Sequence, residues 1–203
     1  MQLPEHLSIN VLKDWTSSIE ISKEAENRIS VNRAYLDEIL KSGNTYYGIN
    51  TGFGSLCNVK IEPDELAQLQ ENLVCSHACG MGDEVPQEIV RWMLLLKVHG
   101  LSQGYSGVRN EIVQRLADFY NKGLSPVVFE LGSLGASGDL APLAHLSLPL
   151  FGKGHVWYKG EKRFAAEALK EAGFSPLPLA AKEGLALLNG TQFMSSYATW
   201  SLI

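Results

Sequence analysis

The sequence has few cysteines and lacks a recognisable leader, and both absences bear on where the protein works. Its cysteines are Cys57, Cys75 and Cys79. A low and odd number argues against a disulfide scaffold and favours reduced thiols. The first ten residues lack the basic start and apolar stretch of a signal peptide. We therefore expect a cytoplasmic protein.

Charge and hydropathy exclude two classes of partner. The formal net charge is −5 and no basic block occurs, which argues against a nucleic-acid partner. Charged or clustered polar residues interrupt each apolar stretch before it reaches membrane-spanning length, so no membrane partner is expected. A hydrophobic content of 45% is typical of a globular chain, and 203 residues suffice for one sizeable domain.

Apolar periodicity predicts a mainly α-helical protein with a few short β-strands. Alternating residues predict two strands within 5–21, and Lys159-Gly160 predicts the turn of a hairpin over 154–164. The helical pattern covers residues 24–41, 63–78, 86–102, 108–121, 138–148, 163–172 and 180–203, the last interrupted at Asn189-Gly190.

The most distinctive stretch is GSLGASGDLAPLAH, at residues 132–145. Its three closely spaced glycines permit tight turns and positive φ. Ser137-Gly138-Asp139 then supplies residues that favour a helix start before an apolar run. A helix N-terminus presents free N–H groups that favour negative charge. By its own chemistry, the stretch is a glycine turn that caps a buried helix.

The same stretch resembles the signature of the histidine/phenylalanine ammonia-lyase family. In that family an Ala-Ser-Gly tripeptide cyclises into a 4-methylideneimidazol-5-one (MIO) ring, and Ala136, Ser137 and Gly138 match it. Glycine offers an unhindered nitrogen, alanine crowds the attacked carbonyl little, and serine supplies the hydroxyl that leaves. The resemblance implies this electrophilic prosthetic group, and nothing in the sequence requires a metal or a nucleotide.

A second stretch, YYGINTGFG at residues 46–54, is typical of a structural Ω-loop. It also resembles the active-site loop of the family, in which Tyr47 matches the loop tyrosine. A phenol on a mobile loop suits a lid that exchanges protons and excludes water.

The third stretch surrounds Ser76 and His77. Cys75, His77 and Cys79 invite a metal-site interpretation, but on a helix the two cysteines share a face and His77 points elsewhere. A core histidine with satisfied hydrogen bonds is the other common interpretation. In the family, the matching pair selects the substrate. It resembles Ser-His in histidine enzymes, His-Leu in tyrosine enzymes and Phe-Leu in phenylalanine enzymes. A polar pair suits an imidazole, because a site that pairs a ring N–H disfavours a phenyl ring.

The fourth stretch is Asn189-Gly190-Thr191. By its own chemistry it is a kink in a helix. A similar tripeptide in the family presents its asparagine amide to the MIO ring, so the resemblance assigns Asn189 to substrate and ring binding.

The resemblance implies conversion of L-histidine to trans-urocanate and ammonia. A phenylalanine or tyrosine ammonia-lyase, an aminomutase of the same family and a non-catalytic interaction domain remain alternatives. Family members are much longer, work as homotetramers and carry their catalytic base in later helices. We therefore expect an incomplete, inactive N-terminal portion, with an MIO-bearing domain at 1–180 and the start of a central helical bundle at 181–203.

Overall fold

Helices dominate the computed structural model, which describes residues 2–13, 15, 18–54, 58–59, 61–62, 65–133 and 135–203. The helices are α1 (Ile9–Lys13), α2 (Lys23–Lys41), α3 (Leu66–His77), α4 (Gln87–Ser102), α5 (Asn110–Lys122), α6 (Leu140–Ser147), α7 (Ala165–Glu171), α8 (Glu183–Leu188) and α9 (Gln192–Leu202). The strands are β1 (Met81–Glu84), β2 (Ser125–Pro126), β3 (Phe129–Leu131), β4 (His155–Tyr158) and β5 (Glu161–Phe164). A 3₁₀ turn at Leu148–Phe151 follows α6. The predicted mainly α class is confirmed.

Helix α4 is the centre of the core. It is apolar on nearly every side, and Met93, Leu95 and Val98 are completely buried. Helices α5 and α9 pack along it, and α2 and α6 also contact it. Since a helix that is apolar on nearly every side must be covered on most of them, the burial of the middle of α4 follows from its composition.

The strands form two small antiparallel sheets. The predicted hairpin is present, with Trp157 opposite Lys162, and β2 adds to it in the order β2-β4-β5. Strands β1 and β3 form a second, irregular pair that the sequence did not predict. Strand β1 reads Met-Gly-Asp-Glu and is mostly exposed, so it carries no apolar alternation.

The two strands predicted within residues 5–21 are wrong. Residues 9–13 form α1 instead, and the only pairing there among the described residues is an isolated bridge between Gln2 and Glu20. Leu12 and Trp15 are the residues buried near this helix, at helical rather than strand spacing. Ile9, which the strand pattern needs on the inner face, is exposed.

Several helix boundaries also differ from the prediction, and two of these differences bear on the candidate site. Helix α3 ends at His77, so Cys79 lies beyond it and does not share a helix face with Cys75. Helix α6 begins at Leu140 rather than at residue 138, because Gly138 has φ +110°. Cys57, the predicted helix start at residues 63–64 and Leu134 of the glycine stretch lie outside the described residues, as do residues 14, 16 and 17 of the region predicted as strands.

A buried ion pair joins the starts of α5 and α8. Glu183 is completely buried, and its carboxylate accepts hydrogen bonds from the Arg109 guanidinium at 2.8 and 2.9 Å. The backbone N–H groups of Arg109 and Ala180 donate to the same carboxylate at 2.9 and 2.6 Å. A buried carboxylate is tolerated when its lone pairs are this fully satisfied. The pair therefore locks the position of α8.

Lys97, on α4, is a second buried charge. Its side chain is almost without solvent contact, and burial lowers the pKa of the ammonium group to about 7. The Nζ atom donates to the carbonyl oxygens of Ala186 and Asn189 at 2.9 and 3.0 Å. A neutral amine still has two N–H donors, so both hydrogen bonds survive deprotonation.

The depressed pKa of Lys97 predicts a pH-dependent stability. Between about pH 7 and about pH 10.5 the unfolded chain binds a proton that the folded chain does not, so the free energy of unfolding should rise with pH by at most about 1.4 kcal/mol per unit. We expect Lys97→Met to remove this slope in urea unfolding measured across that range. The exposed Lys23→Met serves as the control and should keep the wild-type slope. Equal slopes in all three proteins would contradict the burial of a titrating Lys97.

Candidate active site

The Ala-Ser-Gly tripeptide lies in the loop between β3 and α6. Ala136 and Ser137 are exposed on a turn, and Gly138 follows with φ +110°. The backbone N–H of Gly138 has only a long contact, 3.4 Å, to the carbonyl oxygen of Gly135. The loop thus presents the serine to solvent and leaves the glycine nitrogen weakly bonded.

Gly138 packs directly against the backbone of Gly190. The two residues form an isolated parallel bridge, and the N–H of Asp139 donates to the carbonyl oxygen of Gly190 at 2.8 Å. A Cβ atom on Gly138 would lie 2.2 Å from that same oxygen. Position 138 therefore excludes every side chain, both by space and by its positive φ.

Asp139 fastens the loop from the other side, a role that the sequence did not indicate. Its buried carboxylate accepts from the hydroxyl of Ser133 at 2.6 Å and from the backbone N–H of Met194 at 3.0 Å. Met194 belongs to the first turn of α9, whose N–H groups have no partner within the helix. Asp139 thus ties the glycine loop to α9 instead of capping its own helix α6.

A cleft of about 280 Å³ brings together four of the residues predicted for the site: Tyr47, His77, Ser137 and Asn189. They come from the 46–54 loop, the end of α3, the glycine loop and the residue after α8. Apolar side chains complete the lining, among them Phe53, Leu73, Leu140, Leu185 and Leu188. Residues far apart in sequence thus converge on one small, partly apolar cleft.

Ser76 does not line this cleft. Its hydroxyl donates to the carbonyl oxygen of Leu73 at 2.9 Å and lies 3.2 Å from Nδ1 of His77. The structure therefore separates the predicted pair. His77 lines the cleft, whereas Ser76 contacts His77 without lining the cleft.

His77 has a defined tautomer in its neutral form. Its Nδ1 lies 2.8 Å from the carbonyl oxygen of Leu73, a bond that requires a proton on Nδ1. The other ring nitrogen, Nε2, is then a lone-pair acceptor. His77 can accordingly accept a hydrogen bond from an N–H group of a bound molecule.

A second cavity of about 160 Å³ shares His77 and Leu140 with the lining of the cleft. Cys79, Gly132, Gly135, Gly138 and Ala141 complete its lining. The metal interpretation gains no support, since the described residues contain no group of three metal-ligand side chains.

The loop that carries Tyr47 is held by its own side chains. Asn50 accepts from the N–H of Tyr46 at 2.7 Å and donates to the carbonyl oxygen of Asn44 at 2.8 Å. Gly48 has φ +72°, and a Cβ there would lie 2.5 Å from the side chain of Leu185. The backbone of the loop therefore packs against α8 at Gly48, while the Tyr47 side chain remains 62% exposed.

Asn189 is positioned by α4 and α8. Its N–H closes the last turn of α8 on Leu185, its carbonyl oxygen accepts from Lys97, and its backbone is extended. The sequence did not single out Lys97. A lysine in the apolar middle of the predicted helix 86–102 was nevertheless a usable signal, because an isolated buried charge is costly.

His145, on α6, supports the start of the glycine loop through Gly80. Its Nε2 accepts from the backbone N–H of Gly80 at 3.0 Å, and its ring meets Phe129 edge to face. Burial lowers the pKa of the imidazole, which keeps it neutral and able to accept. Gly80 in turn packs against Gly132 at the start of the loop.

Comparisons with known proteins identify similar chains. Curated relatives include the histidine ammonia-lyases of Streptococcus gordonii, 48% identical over 194 residues, and Deinococcus radiodurans, 52% identical over 184 residues. The alignments cover 94% and 91% of this chain but 38% and 35% of those proteins. The chain thus spans little more than a third of the length of the curated relatives it matches.

Solved structures show the same fold. Histidine ammonia-lyase from Trypanosoma cruzi is 40% identical with a TM-score of 0.85, and the alignment covers 97% of this chain and 38% of that one. Pantoea agglomerans phenylalanine aminomutase is 30% identical with a TM-score of 0.88, and the alignment covers 98% of this chain and 39% of that one.

No helix among the described residues combines the length and apolarity that a membrane crossing needs.

A family model described as aromatic amino acid lyase matches residues 7–203. Because this match takes in nearly the whole chain, and because relatives share about half of the aligned residues, the chain belongs to the aromatic amino acid lyase family.

Proposed function

We propose that this chain forms the electrophile-bearing part of a histidine ammonia-lyase, which converts L-histidine to trans-urocanate and ammonia. The observation that carries the proposal is the cleft shared by Ser137, Tyr47, His77 and Asn189. The names of the curated relatives, at about 50% identity, support the same reaction.

The loop fits the MIO group that the family implies. Gly138 has no side chain and a weakly bonded nitrogen, and any Cβ there would collide with Gly190. Ser137 lines the cleft, so the carbon left by loss of its hydroxyl would face a bound molecule. Once formed from Ala136, Ser137 and Gly138, the ring supplies an electrophilic methylene carbon.

The other residues bind and orient the substrate. Nε2 of His77 accepts the ring N–H of the histidine imidazole, and the amide of Asn189 binds beside Ser137. Tyr47, on its exposed loop, covers the substrate and moves a proton. Backbone N–H groups of the glycine loop and of the start of α6 stabilise negative charge that develops near the tripeptide.

The remaining machinery belongs to the parts of the relatives that this chain does not cover. We assign to them the base that removes the β-proton and the contacts that complete a homotetramer. The working site is cytoplasmic and needs neither a metal nor a nucleotide. The division into an MIO-bearing domain at 1–180 and a bundle start at 181–203 belongs to the same proposal.

A phenylalanine- or tyrosine-specific enzyme is the second candidate. The similarity to the phenylalanine aminomutase favours it as far as the fold is concerned. His77 argues against it, because a polar acceptor in the cleft loses its partner when the substrate carries a phenyl ring.

Ring formation is tested by intact mass. Closure removes two waters, so the protein should weigh about 36 Da less than its sequence requires. Ser137→Ala removes the hydroxyl that leaves. We therefore expect that variant not to show the loss of about 36 Da and to lack the ultraviolet absorbance of the ring. Ser175→Ala, which removes an exposed hydroxyl outside the glycine loop, should still lose about 36 Da. If the wild-type protein keeps the full mass of its sequence, the assignment of the tripeptide is contradicted.

Substrate choice is tested at His77 in an active assembly that contains this chain. His77→Phe leaves the substrate imidazole unpaired, at a cost of about 1–3 kcal/mol, or roughly 5- to 150-fold in the specificity constant for histidine. The ratio of specificity constants for histidine and phenylalanine should fall accordingly. Ser76→Ala is the matched control, and we expect a change below about threefold, since Ser76 does not line the cleft. A ratio unchanged by His77→Phe would leave His77 as a core histidine.

The proposed division of labour predicts that the 203-residue chain produces no measurable urocanate from histidine by itself. The reason is that the base is assigned to segments beyond those aligned here. Absorbance of urocanate is the measurement, with a complete family member as the positive control. Turnover at an enzyme-like rate would show that the aligned third of the relatives contains the whole catalytic apparatus.

A further inference from the structure

The end of α8 is held by a buried lysine. Lys97 reaches from the middle of α4 and donates to the carbonyl oxygens of Ala186 and Asn189. Carbonyl groups in the last turn of a helix lack partners within the helix and carry its negative dipole. A lysine here therefore supplies the N–H donors that this end of α8 needs, and in its protonated form it also supplies a favourable charge.

The segment that Lys97 holds is the one on which the tripeptide rests. Asn189, whose carbonyl oxygen it contacts, is followed by Gly190, and the oxygen of Gly190 accepts from the N–H of Asp139. Gly190 also meets Gly138 across the isolated bridge. Two consecutive residues thus make both contacts: Asn189 accepts from Lys97, and Gly190 contacts the tripeptide loop.

Packing by itself does not require a lysine at this place. The neighbours of Lys97 along α4, Met93, Leu94 and Val98, are buried and apolar. A methionine would fill a similar volume without the cost of burying an amine. What a methionine cannot do is bind the two carbonyl oxygens, so the hydrogen bonds are the property that distinguishes Lys97 at this position.

We propose that Lys97 is a positioning residue that sets Asn189-Gly190 against Ala136–Gly138 and thereby governs closure of the tripeptide. It acts through the backbone and does not touch the substrate. The part of this inference that concerns closure rests on the proposed function, whereas the positioning itself does not.

Hydrogen exchange of the Asp139 amide tests the positioning. That N–H is bonded to Gly190, so Lys97→Met should speed its exchange by about tenfold or more. Amides in the middle of α5 report global opening and should change by less than about twofold. Lys182→Met is the matched control, because Lys182 lies just before the start of α8 and donates to the carbonyl oxygen of Ser106. It should leave the Asp139 amide as slow as in the wild type.

Intact mass tests the consequence for ring closure. At a fixed time after synthesis, the fraction of Lys97→Met that has lost about 36 Da should be at least about fivefold below that of the wild type. If the wild type itself keeps its full mass, the proposed electrophile fails, and the Asp139 amide still decides whether Lys97 positions the segment. Lys97→Leu, which also lacks N–H donors, replaces Lys97→Met in both measurements if the methionine variant does not fold.

Two results would overturn the inference. Unchanged protection of Asp139 in a folded Lys97 variant would show that Gly190 holds its place without the lysine. Equal acceleration of Asp139 and of the α5 amides would show that Lys97 contributes only to global stability.

Discussion

Two glycine backbones meet where the candidate site is built, and the arrangement depends on there being no side chain between them. Gly138 lies against Gly190 so closely that a Cβ would overlap the carbonyl oxygen at 2.2 Å. The adjoining Asp139-to-Gly190 hydrogen bond, at 2.8 Å, is possible only at that separation. The loop that presents Ser137 is therefore aligned by main-chain contact, and the Asp139 carboxylate adds side-chain hydrogen bonds to it.

Polar groups inside an apolar core keep this contact in register. Glu183 and Arg109 lock the start of α8, Lys97 binds its end, and Asp139 ties the loop to α9. Hydrophobic packing tolerates small sliding movements of helices, whereas a buried charge is strongly penalised when its partners are displaced. The buried charged groups thus define positions along the helix axes that the leucine-rich faces leave less well determined.

The cleft itself is assembled from segment ends on this rigid support. Tyr47 extends from a loop whose backbone is bonded to Asn50 and seated on α8 through Gly48. His77 ends α3, and its Nδ1 is engaged by the carbonyl oxygen of Leu73. Tyr47, Ser137 and Asn189 are thus carried by irregular segments, whereas His77 is the last residue of α3. Helices supply the fixed positions, an arrangement common in binding sites.

The sequence by itself determined the helical class, the hairpin around Lys159-Gly160 and the tripeptide, because periodicity, turn residues and a contiguous motif are local properties. It misassigned residues 9–13, where a short apolar pattern fits two periods, and it did not reveal the β1–β3 pair, whose strands are too short and polar to show one. Only the tertiary structure separated Ser76 from His77 and disclosed Lys97 and Asp139 as supports. Those assignments depend on which carbonyl oxygens lie within reach, and such distances arise only when segments distant in sequence pack together.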